Sequence, residues 1–412
     1  MNLFKTSFYT SIATAISFIS GFIVTKVVAV QIGPAGMAYL GQFQNTASIL
    51  TMLATGAIAS GVVKYLAQYS SDPEKRQQII NTACLIVFCC SLLVSVLVMG
   101  ASGYLSLAAF KTKDFWVVYF LFGLFTMTLA FNIIFAAILN GLNEIKRFTI
   151  INILSSVIGI GLTILFAIYF GVKGVLISST ALSVIIFTMH IYALKDARIY
   201  WQPNFKKWDF PVVKLLLRFT IMAMVSGFLV PAIQIFVRDK IIHDFTLQEA
   251  GFWQAVTRIS DYYLGFITLV LGVYYMPKLS ALQTKPELRS EIFKAYKIVM
   301  PVVSALALII WLLRDLIIYI LFSQSFEPMK PLFTYQLIGD VFKIGSWLLA
   351  NLMVAKAMVK IYIFTEFVFA ATYVLFCFFL INRFGVIGAT YGFCINYLLY
   401  WIVMFFIMKR KI

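Results

Sequence analysis

Apolar runs, each long enough to cross a bilayer, follow one another along almost the whole of this chain. They fall near 7–30, 37–62, 79–102, 115–139, 148–170 and 174–194, then near 213–236, 250–275, 298–322, 332–355, 361–381 and 386–408. A spanning helix needs about 20 apolar residues, and inside a bilayer the backbone must satisfy its own polar groups, which makes such runs helices. Of the 412 residues, 62% are hydrophobic and only 12% charged. A soluble domain could not cover its surface with so little polar material. The expected fold is therefore an all-α polytopic membrane protein of about twelve transmembrane helices. The first run, Thr6 to Ile32, is too long for the apolar core of a signal peptide and reads as an uncleaved first helix.

The chain reads as one unit written twice. Phe170-Gly171-Val172-Lys173-Gly174 returns as Phe384-Gly385-Val386-Ile387-Gly388, and the same offset carries Lys64 onto Lys278 and Lys146 onto Lys360. Within one position of that offset, Ala35-Gly36 recurs as Ala250-Gly251 and Pro73-Glu74 as Pro286-Glu287. Matches in register across the half-chain argue for duplication. The expected organisation is a six-helix bundle over 1–194, a cytoplasmic linker over 195–212 and a second six-helix bundle over 213–412. An even helix number gives both copies one orientation, so a pseudo-two-fold axis along the membrane normal is expected, with a cavity between the bundles.

Charge sets the sidedness. Lys64, Lys75, Arg76, Lys146, Arg147, Lys206, Lys207, Lys278, Lys285 and Arg289 fall in loops on the side of the two termini. The opposite loops hold Lys111, Lys113, Lys173, Arg238, Lys240, Lys330 and Arg383. Counted over all loops the bias is roughly threefold, which places both termini in the cytoplasm. The net charge of +17 is thus a topology signal, and a nucleic-acid partner is not expected.

Charges inside the apolar runs are the candidates for function. A charge at mid-bilayer costs about 2.5–3.5 kcal/mol on insertion scales, so it normally faces a bundle interior or a water-filled cavity. Arg258 and Asp261 lie about 12–16 Å along their helix at 1.5 Å per residue, and their spacing puts them on one face. Asp340 and Lys343 repeat the arrangement. Each pair reads either as a self-neutralising packing element or as part of a cavity lining that meets an anionic ligand or a coupling ion. Lys26, near a helix end, is an anchor or a second ligand-binding cation. Arg218 lies one turn inside its helix and snorkels. Arg314 and Asp315 point about 100° apart, and Glu366, two turns into its helix, is a protonation candidate. Gln42, Gln44 and Asn45 suit interhelical hydrogen bonds.

Other chemistries lack their residues. Cys84, Cys89, Cys90, Cys377 and Cys394 lie in apolar runs without disulfide or metal spacing, His190 and His243 fall at opposite membrane ends, and no Walker motif is present. The loops are too short to house a hydrolase or glycosyltransferase domain. A transporter is expected, with no enzyme activity, no metal and no cofactor.

The turn Ile32-Gly33-Pro34-Ala35-Gly36, the stretch Gly251-Phe252-Trp253-Gln254 with Arg258-Ile259-Ser260-Asp261, Trp311-Leu312-Leu313-Arg314-Asp315 and Gly339-Asp340-Val341-Phe342-Lys343 together resemble the Wzx-type flippases of O-antigen units and lipid III. The resemblance spans essentially the whole chain and implies the multidrug/oligosaccharidyl-lipid/polysaccharide exporter superfamily. It implies translocation of an undecaprenyl-diphosphate-linked oligosaccharide from the cytoplasmic to the periplasmic leaflet of the bacterial inner membrane. Membrane lipids and other polysaccharide assembly proteins are the implied partners. Lys26, Arg258, Arg314 and Lys343 would bind the diphosphate, and Asp261, Asp340 and Glu366 would couple an ion. The peptidoglycan lipid flippases of that superfamily carry two further helices beyond Lys409-Arg410-Lys411-Ile412, so that branch ranks lower. The alternative is a cation-coupled small-molecule antiporter of the same superfamily.

Overall fold

A computed structural model of the chain describes residues 3–196, 208–356 and 358–411. Most of the linker expected over 195–212 therefore lies outside the described residues, as does the side chain of Arg218. The helices are α1 (Leu3–Ala54), α2 (Ala59–Gln68), α3 (Pro73–Gly100), α4 (Ser102–Phe110), α5 (Trp116–Gly141), α6 (Ile145–Asp196) and α7 (Phe210–Asp244). They continue as α8 (Leu247–Val270), α9 (Met276–Ala281), α10 (Lys285–Leu312), α11 (Arg314–Leu321), α12 (Leu332–Ala355), α13 (Val359–Phe384) and α14 (Ile387–Lys411). A π-helical turn, Leu271–Tyr275, joins α8 to α9, and a 3-10 turn, Gln324–Met329, follows α11. No strand occurs among the described residues.

Among the described residues eight helices are long and apolar enough to cross a membrane. Two of these are double. The first, α1, breaks at Gly33 (φ 79°, ψ −167°), just before Pro34, and α6 breaks at Gly171 (φ 57°, ψ −137°). Both conformations are open to glycine and strained for any other residue. Splitting α1 and α6 there and adding the more charged α7 and α8 recovers the apolar segments of the sequence reading.

The duplication is visible in the backbone. Gly385, the repeat partner of Gly171, separates α13 from α14 with φ 72° and ψ −157°. Three residues later each copy needs a second glycine for a different reason. A Cβ on Gly174 would strike the carbonyl oxygen of Phe166, and one on Gly388 the carbonyl oxygen of Leu380. The struck residues occupy equivalent repeat positions, so the same tight helix–helix crossover was built twice.

Contacts divide the chain into two compact units, Met1–Ile32 with Gln42–Pro231, and Gly33–Gly41 with Ala232–Ile412. The division falls beyond the polar linker, inside α7, and the short segment after the first kink groups with the second half. In the first unit α5 packs on α2, α3, α4 and α6. Its polar contacts are neutral: Ser95 donates to the Gly123 carbonyl at 2.7 Å, Asn132 to the Ser183 carbonyl at 2.7 Å, and the His190 ring meets Asn132 at 3.2 Å. Such contacts between helices contribute about 0.6 kcal/mol on average. In the second unit α12 is the central helix, packed on α8, α10, α13 and α14. The third, fourth and sixth segments of each copy thus play matching parts.

Two boundaries differ from the sequence reading. The chain after Phe236 does not leave the helix: α7 runs on to Asp244, with Lys240 and Asp244 paired one turn apart at 2.6 Å. Arg238 and Lys240 are therefore helical, and Arg238 is fully buried, where the charge count had put both in an outer loop. No glycine or proline interrupts 232–244, which is why the helix persists. The ninth segment begins at Lys285, ahead of its apolar run, because Thr284 and Glu287 form a reciprocal capping box there.

Candidate functional site

Five charged side chains of the second unit, Arg238, Arg258, Asp261, Asp340 and Lys343, gather around α8 and α12. Small residues bring α12 close to α14: a Cβ at Gly339 would meet the Phe393 ring, and one at Gly345 the Trp401 ring. That close approach buries the α12 side chains flanking them, and Asp340 is 0% exposed. A buried carboxylate requires donors. Ser260 Oγ donates to Asp340 Oδ2 at 2.6 Å, Tyr263 OH to the same oxygen at 2.8 Å, and Gln336 Nε2 to Oδ1 at 3.4 Å.

Lys343, one turn further along α12, does not pair with Asp340. Its ammonium lies over the rings of Trp347 at 5.0 Å, Tyr397 at 5.6 Å and Phe393 at 5.7 Å. Three ring faces hold the cation through their quadrupoles. Among the described residues no salt bridge joins Asp340 to Lys343, so of the two readings of their spacing the directly paired one is not formed, although each charge still acts on the other. Neutral hydroxyls and an amide serve the acid, and aromatic faces serve the base.

Asp261 lies on α8 one helical turn from Arg258 and retains an exposed side chain. Lys343, Arg258 and Arg238 are the cations whose charge acts on it. The Arg258 guanidinium lies 5.8 Å from the Tyr262 ring. Arg238, from α7, donates to Gln254 Oε1 and lies 5.5 Å from the Trp253 ring. A Cβ on Gly41 would strike both Gln254 and Arg238, so glycine there keeps room for this pair. Three cations, Arg238, Arg258 and Lys343, thus share one region with the carboxylates Asp261 and Asp340, and Asp239 acts on Arg238 as well. Beside them Gln336 Oε1 and the Trp253 indole N–H are buried without a hydrogen-bond partner among the described residues, polar capacity that a ligand can satisfy.

The remaining sequence candidates stand elsewhere. Glu366 on α13 is half-buried and acts electrostatically on Tyr397 and Tyr400, which links it to the cage around Lys343 through Tyr397. Arg314 opens α11, stacks on Trp311 at 4.4 Å and donates to the Trp311 carbonyl at 3.3 Å; its neighbour Asp315 pairs with Lys330 at 2.9 Å. Neither joins the Asp340 cluster. Lys26 belongs to the first unit and is exposed on α1. Arg238 is the cluster residue that the sequence reading missed. The unbroken helical stretch around it was the available signal.

The chain matches the family described as "Polysaccharide biosynthesis protein" over residues 3–283. It is 30% identical to the lipid III flippases of Escherichia coli (strain K12) and of Shigella flexneri, with 100% of each chain aligned. Among solved structures it resembles the inward-facing conformation of a multidrug resistance MATE family transporter of the MOP superfamily, with a TM-score of 0.79, 17% identity, and 96% of this chain and 94% of that one covered. The outward-facing conformation matches with a TM-score of 0.68 at 17% identity, covering 97% and 95%. At such identities the structural likeness speaks for the fold. The family match and the full-length relatives speak for descent, and the chain belongs to the polysaccharide biosynthesis protein family.

Proposed function

We propose that this protein is a flippase that carries an undecaprenyl-diphosphate-linked oligosaccharide from the cytoplasmic to the periplasmic leaflet of the inner membrane, with both termini in the cytoplasm. The observation that carries this reading is the gathering of three cations, Arg238, Arg258 and Lys343, in one region around Asp261 and Asp340. A diphosphate brings about two negative charges, and its attraction to Arg258, Lys343 and Arg238 is stronger in a low-dielectric surround than in water. The full-length likeness to lipid III flippases supports the same substrate class. The antiporter reading leans on transporters only 17% identical, against 30% over the full length for the flippases, and it ranks second. Lys26 is proposed as a further phosphate contact. Asp261, Asp340 and Glu366 are the proposed coupling carboxylates, and Arg314 is assigned no contact with the head group.

Purified protein in proteoliposomes, supplied with lipid-linked oligosaccharide on one side, tests the proposal through lectin access to the sugar on the other side. Flipping above protein-free vesicles is expected, faster under an ion gradient. Transport of small organic cations without any flipping would overturn the reading. Flipping at one rate with and without every gradient would remove the coupling role alone.

A further inference from the structure

A second feature of the same unit is an apolar groove near the end of the bundle that holds the C-terminus. A groove of about 880 Å³ runs between α10, α12 and α14, lined by Tyr296, Leu349, Trp401, Ile402 and Phe405 among others, with Arg289 and Lys409 also on its wall. That volume lies in the upper part of the range of small-molecule sites, about 300–1,000 Å³. The only polar groups deep in the wall are used internally. Trp401 Nε1 donates to Tyr296 OH at 2.8 Å, and Tyr296 OH donates to the Gly345 carbonyl. The two rings stack at 6.2 Å with 8° between planes, so the groove meets a ligand with ring faces and aliphatic carbons alone.

The rim is different. Arg289 stands in the second turn of α10 and Lys409 in the last turn of α14, both exposed. Neither has a carboxylate within 4 Å among the described residues; the neighbouring Glu291 is taken by Lys278 at 2.8 Å. An apolar trough ending in two uncompensated cations at the membrane surface fits one chemistry: a hydrocarbon chain joined to an anionic head group.

We propose that this groove binds an anionic phospholipid of the leaflet on the C-terminal side, its phosphate between Arg289 and Lys409 and an acyl chain against Tyr296 and Trp401. The groove backs onto α12, the helix that carries Asp340 and Lys343, because the Tyr296 hydroxyl ends on the Gly345 carbonyl. A lipid seated there braces α10 and α14 against the helix at the centre of the candidate site. The site does not depend on what the protein transports.

Native mass spectrometry and thermal unfolding of the purified full chain in detergent, titrated with dioleoyl-phosphatidylglycerol or dioleoyl-phosphatidylcholine, test this. The expected result is at least tenfold tighter retention of phosphatidylglycerol, with a matching rise in unfolding temperature. The preference should collapse in Arg289→Gln/Lys409→Gln while phosphatidylcholine retention stays as it was. Ile402→Trp, which fills the trough and leaves the rim, should weaken both lipids. Equal retention of the two lipids, or a preference that survives in the double variant, overturns the site. If undecaprenyl phosphate displaces phosphatidylglycerol at equal concentration and the double variant abolishes that competition, the occupant is an isoprenoid and the phospholipid assignment falls. None of these readings uses transport, so they stand or fall apart from the flippase proposal.

Discussion

Replacing Lys343 by Met separates a substrate-binding cation from a structural one, because its charge acts on Asp261 and Asp340 at a distance while no salt bridge among the described residues ties it to either. The Asp340 carboxylate keeps its hydrogen bonds from Ser260, Tyr263 and Gln336 when the Lys343 charge that acts on it is removed, so the loss should fall well short of the about 3–5 kcal/mol for breaking a buried pair. What is lost is the attraction of one ammonium to three rings, about 0.5–1 kcal/mol each, set against relief from burying a charge. Met keeps the length and fills the cage formed by Trp347, Phe393 and Tyr397. The net change in stability should lie within about 1 kcal/mol. Transport should respond differently. A hydrogen bond to a charged partner contributes about 1.5–3 kcal/mol, which corresponds to a loss of about 10- to 150-fold in flipping rate. The assay is initial flipping rate in proteoliposomes at matched protein density, alongside unfolding in the same lipid. Lys343→Arg, which keeps the charge and stacks well on rings, should retain most of the rate. A Met variant that flips at a third of the wild-type rate or better, or one that fails to fold while Arg is accepted, refutes the assignment of Lys343 to the substrate path.

Ser260→Ala and Tyr263→Phe each remove one donor from Asp340 and should each destabilise the protein by about 1–2 kcal/mol; the double variant should lose more than the sum, read from denaturant unfolding in mixed micelles, because the acid is then left with Gln336 alone. Gly174→Ala and Gly388→Ala should be about equally damaging, at about 3 kcal/mol or more, since each Cβ would strike a carbonyl at the same repeat position; a large difference in folded yield between them would contradict the structural equivalence of the two crossovers. Thr284→Ala removes the cap of α10 and should cost about 1 kcal/mol. The same cap sets an acid limit: the Thr284 side chain and then its backbone hold the Glu287 carboxyl below its ordinary value of 4.5. A lowered folded pKa means stability that is complete above pH 4.5 and lost as pH falls through the folded value. The difference in unfolding temperature between wild type and Glu287→Gln should therefore be constant from pH 8 to 6 and shrink below about pH 4.5.

The all-helical, many-span architecture was legible because lipid imposes a length and a composition on each segment, and neither requires knowledge of packing. The duplication was legible for a related reason: Gly171 and Gly385 hold backbone conformations that other residues adopt only under strain, so the motif around them persisted in both copies. Position along each apolar run was legible too, and it led to Asp340, Lys343, Arg258 and Asp261. Partners were not. The i, i+3 spacing of Asp340 and Lys343 shows that they share a face of α12, but whether they meet depends on what α8 and α14 bring. Ser260 and Tyr263 reach the acid from one side, Phe393 and Tyr397 reach the base from the other, and the pair is drawn apart. Arg238 was hidden by a different ambiguity. Arg-Asp-Lys after an apolar run reads equally as the start of a loop or as the last turns of a helix, and hydropathy alone favours the loop. What decides for the helix is burial: Trp253 and Gln254 lie against Arg238, and Gly41 leaves them room. A cation that would be a topology marker in a loop becomes, a few residues inside the helix, part of the charge that the proposed diphosphate meets. Its cost of burial is then a reason to look for the anion rather than for a surface.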